Sequence, residues 1–293
     1  MYLDFFSLEE KPFNITPDTR FWYLSTQHEE AVATMLYGVQ ERRGFVLLTG
    51  EVGTGKTTSI RALLNRLQQE DPTGRKEMVE TALIVNPLLS VVELIKAINK
   101  DFGCDRPELD SVQGQLEVLN QFLLDNDRRG GNAVVIIDEG QNLSLESLEM
   151  LRLLSNLETE SHKLIQLILV GQPELEKKLE KPELRQLRQR IQLRYVLQPF
   201  SVQETSDYIT HRIRRVSPKS CIAFRPSAVK KIYEYCSGVP RMINSLCDFT
   251  LMAAYTHETH VVTKQIVDLA YEEMSIGSGQ APRRFWYLRR RRG

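Results

Sequence analysis

The sequence predicts an α/β protein, a parallel five-stranded sheet followed by a smaller all-helical domain. Three observations lead there. Up to about residue 198, short apolar runs alternate with segments of helical spacing, which implies βαβ units, a parallel sheet and right-handed crossovers. One connection between an apolar run and a helix is rich in glycine, Gly50 to Thr57. Beyond Gln198-Pro199-Phe200, only helical stripes remain.

The elements follow in chain order. Residues 1–25 form an aromatic, proline-punctuated arm (Tyr2, Phe5, Phe6, Pro12-Phe13, Pro17, Phe21, Trp22, Tyr23), either packed on a domain or holding a planar ligand. Gln27 to Glu41 has helical spacing and ends at Gly44. Phe45 to Leu48 is the first strand and Ser59 to Gln69 a helix. Thr81 to Val85 reads as a strand buried on both faces, as does Ala133 to Ile137. Between them lie helical patterns over Val91 to Phe102 and Ser111 to Asp127. Leu145 to Leu157 is helical, Leu164 to Val170 a fourth strand, Glu174 to Arg188 helical and Ile191 to Leu197 a fifth strand. The core domain is thus expected over 26–198. A helical domain over 199–276 contains Val202 to Val216, Pro226 to Cys236, Pro240 to Tyr255 and Thr263 to Met274. Pro226 and Pro240 stand where helices start. Residues 277–293 read as a linker and a basic tail.

With 42% hydrophobic and 26% charged residues, the chain has the balance of an ordinary globular protein rather than a disordered one. The 38 basic and 38 acidic residues cancel, but six arginines fall in 283–292, leaving the body mildly acidic. Cys104, Cys221, Cys236 and Cys247 lack C-x-x-C spacing and read as reduced thiols of a cytosolic protein. The five histidines show no metal-ligand spacing, and His28 reads as structural. No apolar run reaches the roughly 18 residues of a membrane-spanning helix.

Gly50-Glu51-Val52-Gly53-Thr54-Gly55-Lys56-Thr57 is G-x-x-x-x-G-K-T between a strand and a helix. The glycines let successive N–H groups turn inward at a helix N-terminus, an anion cradle in which Thr58 also lies. Lys56 supplies a point charge for the outer phosphates of ATP, and Thr57 a hydroxyl ligand for Mg²⁺. Asp138-Glu139 closes an apolar strand: Asp138 is expected to hold Mg²⁺ through water, and Glu139 to polarise the attacking water. Gln172 follows the next strand, placed either between those acids and the γ-phosphate or as a turn residue before Pro173. In a parallel sheet all these positions share the carboxyl edge, where ligands sit. Among Arg185, Arg188 and Arg190, Arg190 is favoured, with Arg188 next, to reach a neighbouring subunit's phosphates. Arg241, in Gly238-Val239-Pro240-Arg241, opens a helix from which a cation can swing onto them.

Together these motifs resemble the P-loop NTPases of the AAA+ class, with the helical domain as their lid. More closely, Met1 to Phe6, Lys11-Pro12-Phe13, Thr16-Pro17-Asp18, Phe21 and Leu24-Ser25 resemble the opening of the ExeA (general secretion pathway protein A) type. Gly50 to Thr58, Asp138 to Leu143, Gly171 to Leu175 and Arg188 to Ile191 agree with it. The resemblance implies an ATPase that assembles as a ring or filament with ATP between subunits. It also implies service to secretion, pilus or export machinery of the bacterial envelope, placing the chain in the cytoplasm at the inner face of the inner membrane. Related proteins regulate transposition on duplex DNA, which is the alternative. For that role the candidate phosphate contacts are Arg42-Arg43, Arg128-Arg129 and Arg212, Arg214 and Arg215. A third reading makes the tail, with Phe285 and Trp286 among its arginines, an anionic-lipid anchor.

Overall fold

The computed structural model describes residues 2–14, 19–69, 78–217 and 221–276; the expected linker and basic tail lie outside them, as does Thr16-Pro17-Asp18. Residues Thr26–Gln198 form one compact unit, and Met1–Ser25 with Pro199–Gly293 the other.

The first unit is built on a sheet of order β2-β3-β4-β1-β5. Its strands are β1 (Phe45–Gly50), β2 (Val79–Ile84), β3 (Asn132–Ile137), β4 (Gln166–Gly171) and β5 (Ile191–Leu197). Every neighbouring pair is parallel. The three inner strands are buried at every residue, as continuous apolar runs require when helices cover both faces. β2 departs from the two-face burial expected of its run. It is an edge strand, with Thr81 and Leu83 partly exposed and Val85 beyond its end in solvent. β5, the other edge, alternates burial along its length, as a half-covered strand does.

The connecting helices are α2 (Thr26–Gln40), α3 (Lys56–Gln68), α4 (Val91–Asp101), α5 (Val112–Arg128) and α6 (Leu145–Leu154). Ser90, Ser111 and Ser144 cap the last three, each hydroxyl accepting from a backbone N–H of the first turn. The single helical segment expected over Glu174 to Arg188 is instead α7 (Pro173–Leu179), a 3₁₀ turn (Pro182–Leu184) and α8 (Arg185–Arg190). Pro182 is the cause, since it disfavours α conformation at Lys181 and lacks an N–H to donate.

In the second unit α9 (Val202–Val216), α10 (Pro226–Cys236), α11 (Pro240–Thr256) and α12 (Lys264–Ile276) share one apolar core. Two residues each of β6 (Ala223–Phe224) and β7 (Val261–Val262) pair in parallel, a detail too short to leave a periodic signal. The aromatic arm, opening with α1 (Tyr2–Phe5), belongs to this core: Tyr2, Phe6, Phe13 and Phe21 are buried in it. Tyr2 donates its phenol to Asp248, and the Arg212 guanidinium donates to the Pro12 and Asn14 carbonyls beneath Phe21. Packing is thus the observed role of these rings. A Phe6→Ala change is expected to cost about 3–5 kcal/mol, read as a lower urea midpoint of the far-ultraviolet helical signal.

Gly238 shows why glycine opens the Gly-Val-Pro-Arg turn. Its φ is +73°, and a Cβ there would stand 2.0 Å from the Phe200 carbonyl oxygen. The turn is closed by the Phe200 N–H donating to the Gly238 carbonyl at 2.9 Å.

Candidate nucleotide site

Strand order decides what meets at the carboxyl edge of the sheet. β4 lies between β1 and β3, so Gln172, just past its end, stands between the loop that follows β1 and the acids that follow β3. The order thus gathers Gly50 to Thr58, Asp138, Glu139 and Gln172 at one edge. Arg241 belongs to the other unit, where it is exposed in the first turn of α11.

The loop is wound by Gly53 and Gly55, whose φ values are +82° and +104°. Glu51 and Val52 form its exposed tip, and Thr54 folds back on it, both its N–H and its hydroxyl donating to the Glu51 carbonyl. Gly55 then leads into α3, whose first residues are Lys56, Thr57 and Thr58. Lys56 is only 6% exposed; its ammonium donates to the carbonyls of Gly50 at 2.7 Å and Glu51 at 3.0 Å. Burial pushes its pKa down, while the nearby charges of Glu139 and Asp138 act the other way.

Thr57 donates its hydroxyl to Asp138 Oδ2 at 2.9 Å, joining the end of the loop to the end of β3. Asp138 is 3% exposed, and its pKa is raised by that burial, against the lowering effects of the Thr57 hydroxyl and the Glu139 N–H. Glu139 adopts a left-handed conformation (φ 53°, ψ 38°), rare for a residue with a side chain and common where a site holds a group in place. Its Oε2 accepts from Gln172 Nε2 at 3.1 Å and from Gln141 Nε2 at 2.5 Å. Gln141 Oε1 in turn accepts from the Gln172 N–H at 3.1 Å, so two amides and one carboxylate form a closed ring of hydrogen bonds.

The donor set fits a magnesium triphosphate. Hard oxygens at Thr57 and Asp138 suit Mg²⁺ rather than a softer metal. Burial disfavours the charged forms of both Lys56 and Asp138, and a bound anion beside the one and a bound cation beside the other would offset that penalty. The N-terminus of α3 adds its dipole to the anion side.

Of the arginines, Arg190 donates to Ser155 Oγ at 3.2 Å within its own chain. Arg188 is half-buried and its guanidinium has no hydrogen bond or ion pair among the described residues, and Arg185 is exposed. Several cations considered for DNA are engaged internally. Arg42 pairs with Asp127 at 3.3 Å and donates to the Gly131 carbonyl, Arg128 pairs with Asp125 at 2.9 Å, and Arg212 is buried. Arg214 and Arg215 remain exposed.

One residue at this edge escaped sequence reasoning. Gln141 gave one signal, an amide two positions after the acidic pair, but its reach back to Glu139 depends on the 3₁₀ turn Gly140–Asn142. His28 was read as structural; its ring lies against the phosphate loop, Nε2 donating to the Thr54 carbonyl at 2.9 Å.

Residues 39–179 match the family described as AAA domain. General secretion pathway protein A of Aeromonas hydrophila is 42% identical over 275 residues, which are 94% of this chain and 49% of that protein. The chain therefore spans about half the length of the curated relative it matches. Among solved structures, the Aeropyrum pernix ORC2 protein in ADPNP–ADP complexes aligns with a TM-score of 0.63 at 18% identity, covering 90% of this chain and 72% of that one. Drosophila ORC bound to DNA aligns with 0.67 at 19% identity, covering 90% and 64%. The Thermotoga maritima RuvB Holliday junction branch migration motor aligns with 0.53 at 18% identity, covering 87% and 73%. At these identities the likeness is one of fold.

Proposed function

Because this chain belongs to the AAA+ ATPases, of the general secretion pathway protein A type, we propose that it binds and hydrolyses ATP with Mg²⁺ and uses that cycle to assemble or remodel a bacterial envelope complex. The observation that carries the reading is the 2.9 Å bond between Thr57 and Asp138 beside the buried Lys56, which unites loop and acid in one metal-and-phosphate site.

In this reading the loop N–H groups from Gly53 to Thr58 hold the phosphates, and Lys56 leaves the Gly50 and Glu51 carbonyls to neutralise the outer ones. Thr57 and, through water, Asp138 would hold Mg²⁺, which would supply charge neutralisation at the phosphate oxygens. Glu139 accepts the proton of the attacking water. Gln141 and Gln172 aim its carboxylate, and Gln172 borders the terminal phosphoryl.

The remaining charge is neutralised by an arginine of the next subunit in a ring or filament. The sequence favoured Arg190; the hydrogen bond of Arg190 to Ser155 leaves Arg188 the readier of the two. Arg188→Ala is expected to lower hydrolysis by roughly 10³–10⁵ with ATP affinity kept, and mixing it with a Lys56→Ala chain to restore activity. No restoration at any mixing ratio counts against action across subunits.

The relative's printed name supports a secretion partner, and the internal engagement of Arg42 and Arg212 speaks against a DNA-coating surface that uses them. No helix of the described residues is long and apolar enough to cross a membrane. Electron microscopy with ATP, with and without duplex DNA, tests the choice. An assembly that forms equally without DNA is expected; a filament that forms only on DNA would favour a transposition-type regulator.

A further inference from the structure

We propose that His28 is a positioning residue for the phosphate loop: its imidazole aims the 54–55 peptide so that the Gly55 N–H is presented to a nucleotide phosphate. The inference rests on the nucleotide reading above.

The geometry begins with the peptide plane. In a trans peptide the C=O of one residue and the N–H of the next point in opposite directions. The Thr54 carbonyl accepts from His28 Nε2 at 2.9 Å, so the Gly55 N–H is turned directly away from the imidazole. That N–H has no acceptor among the described residues, and it is the last one before α3 begins at Lys56. A carbonyl only accepts, so Nε2 carries a proton.

The same imidazole explains the glycine. A Cβ at residue 55 would stand 2.4 Å from His28 Nε2, in addition to the strain of a φ of +104°. Ring and loop backbone are therefore in direct contact, with nothing between them. His28 itself is 2% exposed.

A positioning group must itself be held, and the first turn of α2 is held on every side. Gln27 Oε1 accepts from the Gln198 N–H at 3.1 Å, beyond the end of β5. Glu29 pairs with Arg66 of α3, and Glu30 accepts from the Tyr195 phenol of β5 at 2.8 Å. Four consecutive side chains thus reach the segment after β5, the loop, α3 and β5, so α2 cannot shift without breaking several bonds. The imidazole is presented to the loop from a fixed base. His28 touches the loop backbone and neither Asp138 nor Glu139, so in the nucleotide reading it bears on binding and not on the attack of water.

The test compares two conservative replacements in the whole chain. The amide nitrogen of glutamine stands where Nε2 stood and reaches Thr54; that of asparagine stands nearer Nδ1 and does not. Binding of ATP with Mg²⁺ is measured by calorimetry and hydrolysis at saturating ATP, with melting temperatures without nucleotide as the folding check. His28→Asn is expected to bind ATP roughly tenfold more weakly, the loss of one buried hydrogen bond, with kcat changed less than about threefold. His28→Gln is expected to stay within about threefold of the parent in both. Equal affinity in the parent and both variants overturns the proposal, as does an equal loss in both.

A second measurement needs no variant. Nitrogen NMR of the parent's imidazoles should show His28 protonated at Nε2 and shifting on addition of ATP and Mg²⁺; an Nδ1-protonated ring, or signals that do not move, overturns the inference. A parent chain that gives no more binding heat with ATP than Lys56→Ala overturns the nucleotide reading and this inference with it. Failure of the Gln and Asn comparison alone, with ATP still bound, removes only the role of His28.

Discussion

Lys56→Ala is expected to abolish measurable ATP binding in the micromolar range while leaving the fold intact. Lys56 is the buried cation of the loop, and the acids around it do not replace a positive charge for phosphate. Truncating one partner of a buried, hydrogen-bonded charge pair costs about 2–5 kcal/mol, roughly 30- to several-thousand-fold in Kd. The ammonium's own bonds to the Gly50 and Glu51 carbonyls are local, so their loss should move the melting temperature little. Calorimetric titration with ATP and Mg²⁺ reads the effect. Binding within threefold of the parent would remove the lysine, and with it the phosphate assignment, from the loop.

Glu139→Gln has the second large effect and separates binding from turnover. The amide keeps the size and much of the hydrogen bonding of the carboxylate but cannot accept a proton from water. ATP affinity is expected to be unchanged, and hydrolysis to fall by about 10²–10⁴, the usual contribution of a general base. The loop contacts and the Thr57–Asp138 bond lie outside the substitution, so a nucleotide-bound assembly should persist longer. Phosphate release measured under single-turnover conditions checks it. Turnover at the parent's rate would show that another group takes the proton.

Much of this was legible in the chain itself. β1, β3 and β4 each carry an unbroken apolar run, Phe45 to Leu48, Ala133 to Ile137 and Leu167 to Val170, as strands buried on both faces do. β5 matches its expected span, Ile191–Leu197, and α4 and α9 start where expected, at Val91 and Val202. The run Ala82 to Val85 is apolar too, but β2 is an edge, because strand order is a property of the whole sheet and not of the run. The break at Pro182 was written in the sequence and was overridden there by the apolar spacing around it. The arm's aromatic content was plain, whereas the surface it packs on was not: Tyr2 finds Asp248, 246 positions away.

By itself, then, the sequence determined the chemistry of the loop: glycines able to take positive φ, a lysine and threonine at a helix start, and two acids closing a buried strand. These follow from backbone sterics and neighbour spacing, which act over a few residues. Only the tertiary structure decided who meets whom. Placing β4 between β1 and β3 sets Gln172 beside Glu139, brings Thr57 to Asp138, and leaves Gln141 to complete the ring; the docking of α2 brings His28 to the loop. Such pairings depend on strand order and helix docking, which minimise exposed apolar area over the whole unit, and no local pattern carries that information.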